Sequence, residues 1–537
     1  MPDRGGMMFV RKDVWKLPSG DQTLLWYGRA VERLQGLPFS DVTSWWSLAA
    51  MHGVDEPIWR GFNVIPAGAT LPAGPAQTAL WRQCQHLTWY FLPWHRGYLL
   101  AFERIIRNAI IDLGGPRDWA LPYWNYSADA RSRELPPAFA KDKLAGGQRN
   151  YLFVAQRYGT GQVPQVQSPI VLDPRAVTIT DTLAERFFEG SAGGGSAGFG
   201  GVKTPFWHGD ESNDGTFGVL ETQPHGPVHV LVGGGFKGNG LSQDPLEIGW
   251  MTNPDTAALD PIFWLHHANI DRLWNVWLRQ KRRPNDSADV FANPTDPDWL
   301  DGPQDREFAM PAVDGTIYNF KARDVLDTQS PSLNYIYDDE PTGEDLTTLV
   351  AARLQRLGAT PQVAFQVAGT VSMAPPKQAE LLGANSGTIK LADDVVETKV
   401  RLDRDQQQRL STTLSVSPSL QREPDKVYLN LENVKSQTDA AVFYVYVNLP
   451  GDADPSEDTE HLAGTLSMFG VSKASKREGP TGGSGINASF DITRIIDAAF
   501  AREGLAEEIS VKLVSAVPGV TSEGISIGRI SVYRQEQ

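Results

Sequence analysis

The chain has 537 residues, 41% hydrophobic and 21% charged, with one Cys and a formal charge of −15, and that length favours two or three domains over a single core. The apolar content is too high for a disordered chain, one Cys excludes an intrachain disulfide framework, and the acidic balance works against nucleic-acid binding. No stretch approaches the roughly 20 apolar residues that span a bilayer. The opening, MPDRGGMMFVRKDVW, lacks the apolar core of a secretory signal. We therefore expect a cytoplasmic protein with no membrane partner, leaving export with a partner protein open.

Residues 1–340 are rich in Trp and Pro, with helical segments between long loops. A first helix is expected over residues 41–52 behind a capping Asp41. A second is expected over residues 76–91, after Pro75. A third starts at Pro93, where Leu99, Phe102, Ile106, Ile110 and Leu113 recur at three- and four-residue spacing until Gly114 stops them. A fourth has Asp260 as N-cap and Pro261 in its first position, and runs to about Arg282. Four such helices predict a helical core.

Between them, residues 190–201 (GSAGGGSAGFGG) read as a flexible loop. The run matches G-x-G-x-x-G and G-x-S-x-G, but without the strand before and helix after that those motifs need. The sequons at Asn125, Asn285 and Asn487 carry little weight without a signal. Residues 341–400 are mixed and are taken as a linker. From about Arg401 the pattern turns to period two, in VYLNLENV, AVFYVYVNL, ISVKLV and ISIGRISVYR, which predicts an antiparallel β-sandwich. The expected organisation is residues 1–340, a linker over 341–400, and a β-domain over 401–537.

The histidines carry the chemistry. Nine are present: His52, His86, His95, His208, His225, His229, His266, His267 and His461. Most fall into two clusters, 52–95 and 225–267, set on or beside the expected helices. His225 and His229 are four apart and share a helix face, provided Pro227 lies in a first turn. His86 and His95 would oppose each other on one continuous helix, so a new helix starting at Pro93 is needed for them to converge. His266 points about 100° away from His267 on a helix, so one of that pair is not a ligand. Imidazole-rich sites suit Cu, Zn, Ni or Fe. Two three-imidazole sites facing each other could hold a diatomic molecule between them. Neither cluster has the bridging carboxylate that a hydrolytic zinc pair commonly uses.

The stretches HLTWYFLPWHRGYLLAFE, from His86, and DPIFWLHHANIDRLW, from Asp260, resemble the CuA and CuB signatures of tyrosinases and catechol oxidases, type 3 copper proteins. The resemblance implies a mainly α catalytic domain, a four-helix bundle around a dicopper site, with two copper ions as cofactors. His52, His86 and His95 would bind CuA, and His225, His229 and His267 would bind CuB. His267 is preferred because it lies four residues before Asp271. Cys84, two residues before His86, resembles the Cys that is thioether-linked to a CuA histidine in fungal and molluscan members. Glu221, four before His225, matches a Glu that holds a water in plant-like members, a catalytic role. At the substrate entrance, Gly226 stands where many monophenol-hydroxylating members carry Asn, which tilts the resemblance towards diphenol oxidation, and Pro254 stands where a bulky residue often gates CuA, which implies a relatively open entrance. The segments DWLDG, ARDVLDT and Tyr335-Ile336-Tyr337, with the strands after Val427, resemble the linker and C-terminal cover of plant polyphenol oxidases.

The activity implied is oxidation of o-diphenols to o-quinones with O2, with some ortho-hydroxylation of monophenols, latent under the C-terminal part. The partners are then a phenolic small molecule and O2, with a homo-oligomer left open. The competing readings are an O2 carrier like molluscan haemocyanin, disfavoured by the modest chain length, and an o-aminophenol oxidase.

Overall fold

Helix α1 (Thr23–Gln35) turns Tyr27, Ala30, Val31 and Leu34 inward at three- and four-residue spacing. The computed structural model to which it belongs describes residues 8–157, 169–206, 215–237, 240–283, 286–302, 307–343, 345–371, 378–415, 422–517 and 524–537. His208 and the sequon at Asn285 lie outside these residues.

Helix α2 (Trp45–His52) starts later than expected. The Asp41 carboxylate is occupied in a local turn, accepting from the Thr43 N–H at 2.9 Å and its hydroxyl at 2.7 Å. Ser44 takes over as the cap, its Oγ accepting from the Ser47 N–H at 3.1 Å. The second expected helix shrinks to Pro75–Leu80. Beyond it Arg82 and Leu87 have φ of 59° and 62°, which breaks a right-handed helix. The N–H groups of Arg82 and Gln83 donate instead to Ala50 and Met51 of α2. His86 therefore sits on an irregular segment, not on a helix.

Helix α3 (Phe91–Asp112) opens two residues before Pro93. Helix α4 (Gly226–Gly233) has Pro227 in its first turn, where a missing N–H costs nothing. Helix α5 (Pro261–Leu278) is capped by Asp260, whose Oδ1 accepts from the Ile262 N–H at 3.0 Å. The helices lock through aromatic rings: Phe102 of α3 stacks on Trp264 of α5 with centroids 3.4 Å apart and planes 6° off parallel.

A buried polar knot fixes α5 from behind. Asp271 pairs with Arg96 at 2.6 Å and Arg11 at 3.2 Å, and accepts from the hydroxyls of Tyr335 and Tyr337 at 2.7 and 2.6 Å. Arg11 ends strand β1 (Phe9–Arg11), which pairs in parallel with β2 (Tyr335–Tyr337). Two distant segments thus clamp the helix that carries His267.

Part of the stretch taken as a linker belongs to regular structure. Helices α6 (Leu346–Arg356) and α7 (Pro361–Thr370) bury Val350, Leu354, Ala364 and Val367 in the helical core. Strands β3 (Glu380–Ala384), β4 (Ile389–Lys390) and β5 (Val395–Leu402) precede or straddle residue 401. They join β6 (Lys426–Lys435), β7 (Val442–Val447), β8 (Leu462–Ser467), β9 (Ile486–Asp491), β10 (Glu508–Ser515) and β11 (Ser526–Gln535). The result is one antiparallel nine-stranded sheet, order β8-β7-β10-β5-β3-β11-β6-β9, with β4 on β11. It curls until its edges touch: a Cβ on Gly464 of β8 would lie 2.5 Å from the Phe490 ring of β9. The layered β-structure expected from the alternation is this single wrapped sheet, with Val427, Leu429, Val445, Val511 and Ile530 inside it.

The glycine-rich run expected to be flexible is the bed on which the sheet rests. Gly194, at φ +124°, passes directly under Tyr533, where a Cβ would sit 2.3 Å from the ring. Ser489 donates to the Gly195 carbonyl at 2.6 Å, and the Ser196 N–H donates to Gln535. Deeper in the seam, Glu423 takes Arg186 at 2.6 Å and Arg353 at 3.0 Å, and Arg353 reaches on to Asp497 at 2.9 Å. Among the described residues no helix is long and apolar enough to cross a membrane.

Candidate metal centre

Five local structures deliver the rings. His52 ends α2, His86 sits on the irregular segment, His95 lies one turn into α3, and His225 and His229 flank the start of α4. His267 lies in the second turn of α5. The turn before α4 is unusual: Glu221–His225 forms a wide helical turn broken at Gln223, whose φ of −154° and ψ of 127° are extended. Gln223 is held by its own side chain, donating to the carbonyls of Arg175 and Thr178 at 3.1 Å and accepting from the Thr465 N–H of β8 at 2.9 Å.

The six histidines singled out from the sequence converge. His52, His86 and His95 have ring centroids 5.0 to 5.8 Å apart. His225, His229 and His267 lie 4.6 to 5.4 Å apart. The two sets face each other, with His95 and His267 stacked at 4.4 Å and His86 5.3 Å from His225.

Outer nitrogens are anchored to backbone carbonyls. His52 Nδ1 reaches Pro254 O, His95 Nδ1 reaches Phe91 O and His229 Nδ1 reaches Met251 O, each at 2.8 Å. A donor bond from Nδ1 fixes the tautomer and turns a lone pair on Nε2 inward. Nε2 of His52 and of His225 are buried and have no hydrogen-bond partner among the described residues. Burial depresses all six: His52 falls to about 4, and the other five, with neighbouring rings adding to the effect, drop well below the usual 6.5. Six neutral, inward-facing imidazoles are a donor set for two borderline or soft transition metals. The residues fit a copper pair.

His266, the seventh ring here, lies 5.4 Å from His225 and 4.8 Å from His229. Its Nδ1 is taken by the Tyr126 hydroxyl at 3.1 Å, while His267 Nε2 approaches His229 Nε2 at 3.2 Å. Convergence favours His267 as the ligand and leaves His266 as its backing. His461 lies apart, paired with Asp458.

Cys84 is buried, with Sγ 3.6 and 3.9 Å from the two nitrogens of His86 and 3.5 Å from His95 Nε2. The sulfur therefore lies against the His86 ring. Glu221 is buried as well. Its carboxylate accepts from the Leu87 N–H at 3.1 and 3.3 Å, and burial raises it well above the usual carboxyl range. One carboxylate therefore ties the segment carrying His86 to the turn carrying His225, and it stabilises the left-handed backbone of Leu87.

Neither proposed entrance residue faces open solvent. Gly226 lies under β8, where an added Cβ would sit 3.2 Å from that of Ser467. Pro254 lies under Gly470, whose added Cβ would be 3.5 Å from its ring. What covers them is a turn absent from the sequence reading. Between β8 and the short helix α8 (Val471–Ala474), Phe469 drops its ring onto His229, centroids 3.9 Å apart and planes 15° off parallel. The same ring meets His86 and His225 edge-on at 5.4 and 5.6 Å. It has no local signal: a Phe among β-strands reads as core. The space left beside His52 and His86 is about 40 Å³, enough for a few waters and not for an aromatic ring.

Residues 42–280 match the common central domain of tyrosinase, and residues 378–535 match a domain of unknown function. Tyrosinase HcTyr1 of Hahella sp. (strain CCB-MM4) is 31% identical over 98% of this chain and 100% of its own. The chloroplastic polyphenol oxidase of Malus domestica is 28% identical over 82% of this chain and 65% of its own. Among solved structures, latent apple tyrosinase aligns over 99% of this chain and 98% of its own, with a TM-score of 0.57 at 20% identity. Latent aurone synthase aligns over 100% and 91%, with a TM-score of 0.58 at 17% identity.

Proposed function

The chain belongs to the tyrosinase family, enzymes that oxidise phenols at a type 3 copper pair, and from that premise we propose that it oxidises o-diphenols to o-quinones, with slower ortho-hydroxylation of monophenols, and that the C-terminal sheet keeps it latent. In this reading His52, His86 and His95 hold one copper, and His225, His229 and His267 the other. When bound, the copper pair supplies the electron transfer with O2 and draws the phenolic pKa below its ordinary value of about 10.

The chain's own groups do the rest. The carbonyls of Pro254, Phe91 and Met251 orient the rings. Glu221, which burial raises above the usual carboxyl range and the Leu87 N–H holds in place, is the carboxyl positioned to take the proton a phenol gives up. Phe263 supports the floor, 4.2 Å from His267 and 4.9 Å from His52. Gly226 offers no side-chain amide to orient a water beside Glu221, which favours diphenols over monophenols.

The observation that carries latency is Phe469, whose ring fills the place above His229 that a substrate ring would take. Quinone absorbance with a catechol and with its monophenol, before and after limited proteolysis of the C-terminal part, tests the proposal. We expect low activity in the intact chain, a rise of tenfold or more after cleavage, and catechol ahead of monophenol. Full activity in the intact chain would refute latency, and monophenol turning over first would refute the diphenol preference.

A further inference from the structure

Two spaces meet at one side chain. The inner one, about 40 Å³, lies between His52, Cys84 and His86 on one wall and Phe469 and Lys473 on the other. The outer one is a groove of about 830 Å³, open to solvent, along the seam between the helices and the sheet. Its charged lining is Asp55, Glu56, Asp255 and Glu478 against Arg82 and Lys473. Lys473 lines both spaces. Its Nζ lies 2.9 Å from Asp255 Oδ1, with the two side chains 34% and 14% exposed. Asp255 follows Pro254, which lines the inner space and holds His52 through its carbonyl.

We propose that the Lys473–Asp255 pair is the gate through which a copper ion reaches the histidines while the C-terminal sheet stays in place. The proposal rests on the dicopper reading of the six rings. A groove with an excess of carboxylates concentrates cations. A partly exposed ion pair is weakly held, so a copper ion competing for Asp255 displaces the ammonium, and the flexible lysine stem lets it swing aside. The first donors beyond are the Cys84 thiol and the rings of His52 and His86, a set that suits Cu(I). A bare ion passes where a phenol ring does not, so metal loading is separated from substrate access.

The test is the rate at which intact, metal-free protein takes up Cu(I) under anaerobic conditions, followed by competition with a coloured chelator. Lys473→Ala and Asp255→Asn break the same ion pair and are expected to move the rate in opposite directions. Losing the ammonium should speed uptake several-fold, and losing the carboxylate should slow it several-fold. The final content stays at two coppers per chain, and catechol oxidation by the loaded intact chain does not change. If the pair only latched the sheet, both variants would load faster and oxidise catechol faster, which overturns the gate. Rates equal to the parent in both variants overturn it too. A parent chain that binds no copper at equilibrium overturns the dicopper reading itself, an outcome visible before any variant is made.

Discussion

Phe469 and His229 lie face to face, 3.9 Å apart, although 240 positions separate them in the chain. The contact joins the curled sheet to the second metal-side cluster without any covalent or charged link. Truncating the ring is expected to raise catechol turnover of the intact chain severalfold. Replacement by Trp should keep it low. Phe469→Ala also forfeits about 3 kcal/mol of stability as a buried ring is lost, which a thermal melt reads independently. Unchanged basal turnover in Phe469→Ala would show that something else covers the site.

His267 and His266 are separated by the Tyr126 hydroxyl, which engages only His266. His267→Ala is expected to leave one copper per chain and no oxidase activity. His266→Ala should keep two coppers, with a lower melting temperature because Tyr126 loses one of its hydrogen bonds. Metal analysis of the two variants decides the assignment, and a reversed result would exchange the roles of the neighbouring rings.

Cys84 Sγ lies against the His86 ring, 3.6 and 3.9 Å from its two nitrogens. If the sulfur bonds a carbon of that ring, the thiol and ring hydrogens leave to O2 at the loaded site. Peptide mass spectrometry of copper-loaded protein should then find the Cys84–His86 peptide lighter by two hydrogens and resistant to alkylation. Full alkylation of Cys84 after loading and exposure to O2 would rule the thioether out.

The pH dependence has a definite sign. Burial holds His52 near 4 and His266 near 3, whereas an unfolded imidazole titrates near 6.5. Between these values the unfolded chain binds protons that the native chain does not. Stability is therefore present above pH 6.5 and is lost as the pH falls toward 4. His52 alone accounts for about 3 kcal/mol of that loss. Metal-free protein should melt at steadily lower temperature from about pH 7 to pH 5. A flat profile there would mean that the rings are exposed.

The convergence of the histidines on α4 and α5 was legible because its causes are local: Asp260 caps α5, Pro227 opens α4, and the rings there follow at helical spacing. Period-two alternation likewise marked β6, β7, β10 and β11. What stayed hidden depends on distant partners. The helix expected through His86 gives way because Arg82 and Gln83 bond to α2, a choice no neighbouring residue announces. The glycine run reads as slack, yet Gly194 is glycine because Tyr533 leaves no room for a Cβ. Strands β3 to β5 are short or alternate weakly, with Val395 and Leu381 on the exposed side, so they merged into the linker. Phe469 acquires its meaning only when the sheet is docked.

The carboxylate of Glu423 is shared by Arg186 and Arg353 in a region closed to water. Pulling the two halves apart would strand guanidinium groups beside surfaces that cannot solvate them until separation is complete. Partial breathing there is penalised more than full departure. Uncovering the histidines is on these grounds an all-or-none event, better suited to a single irreversible cut than to repeated opening and closing in each turnover.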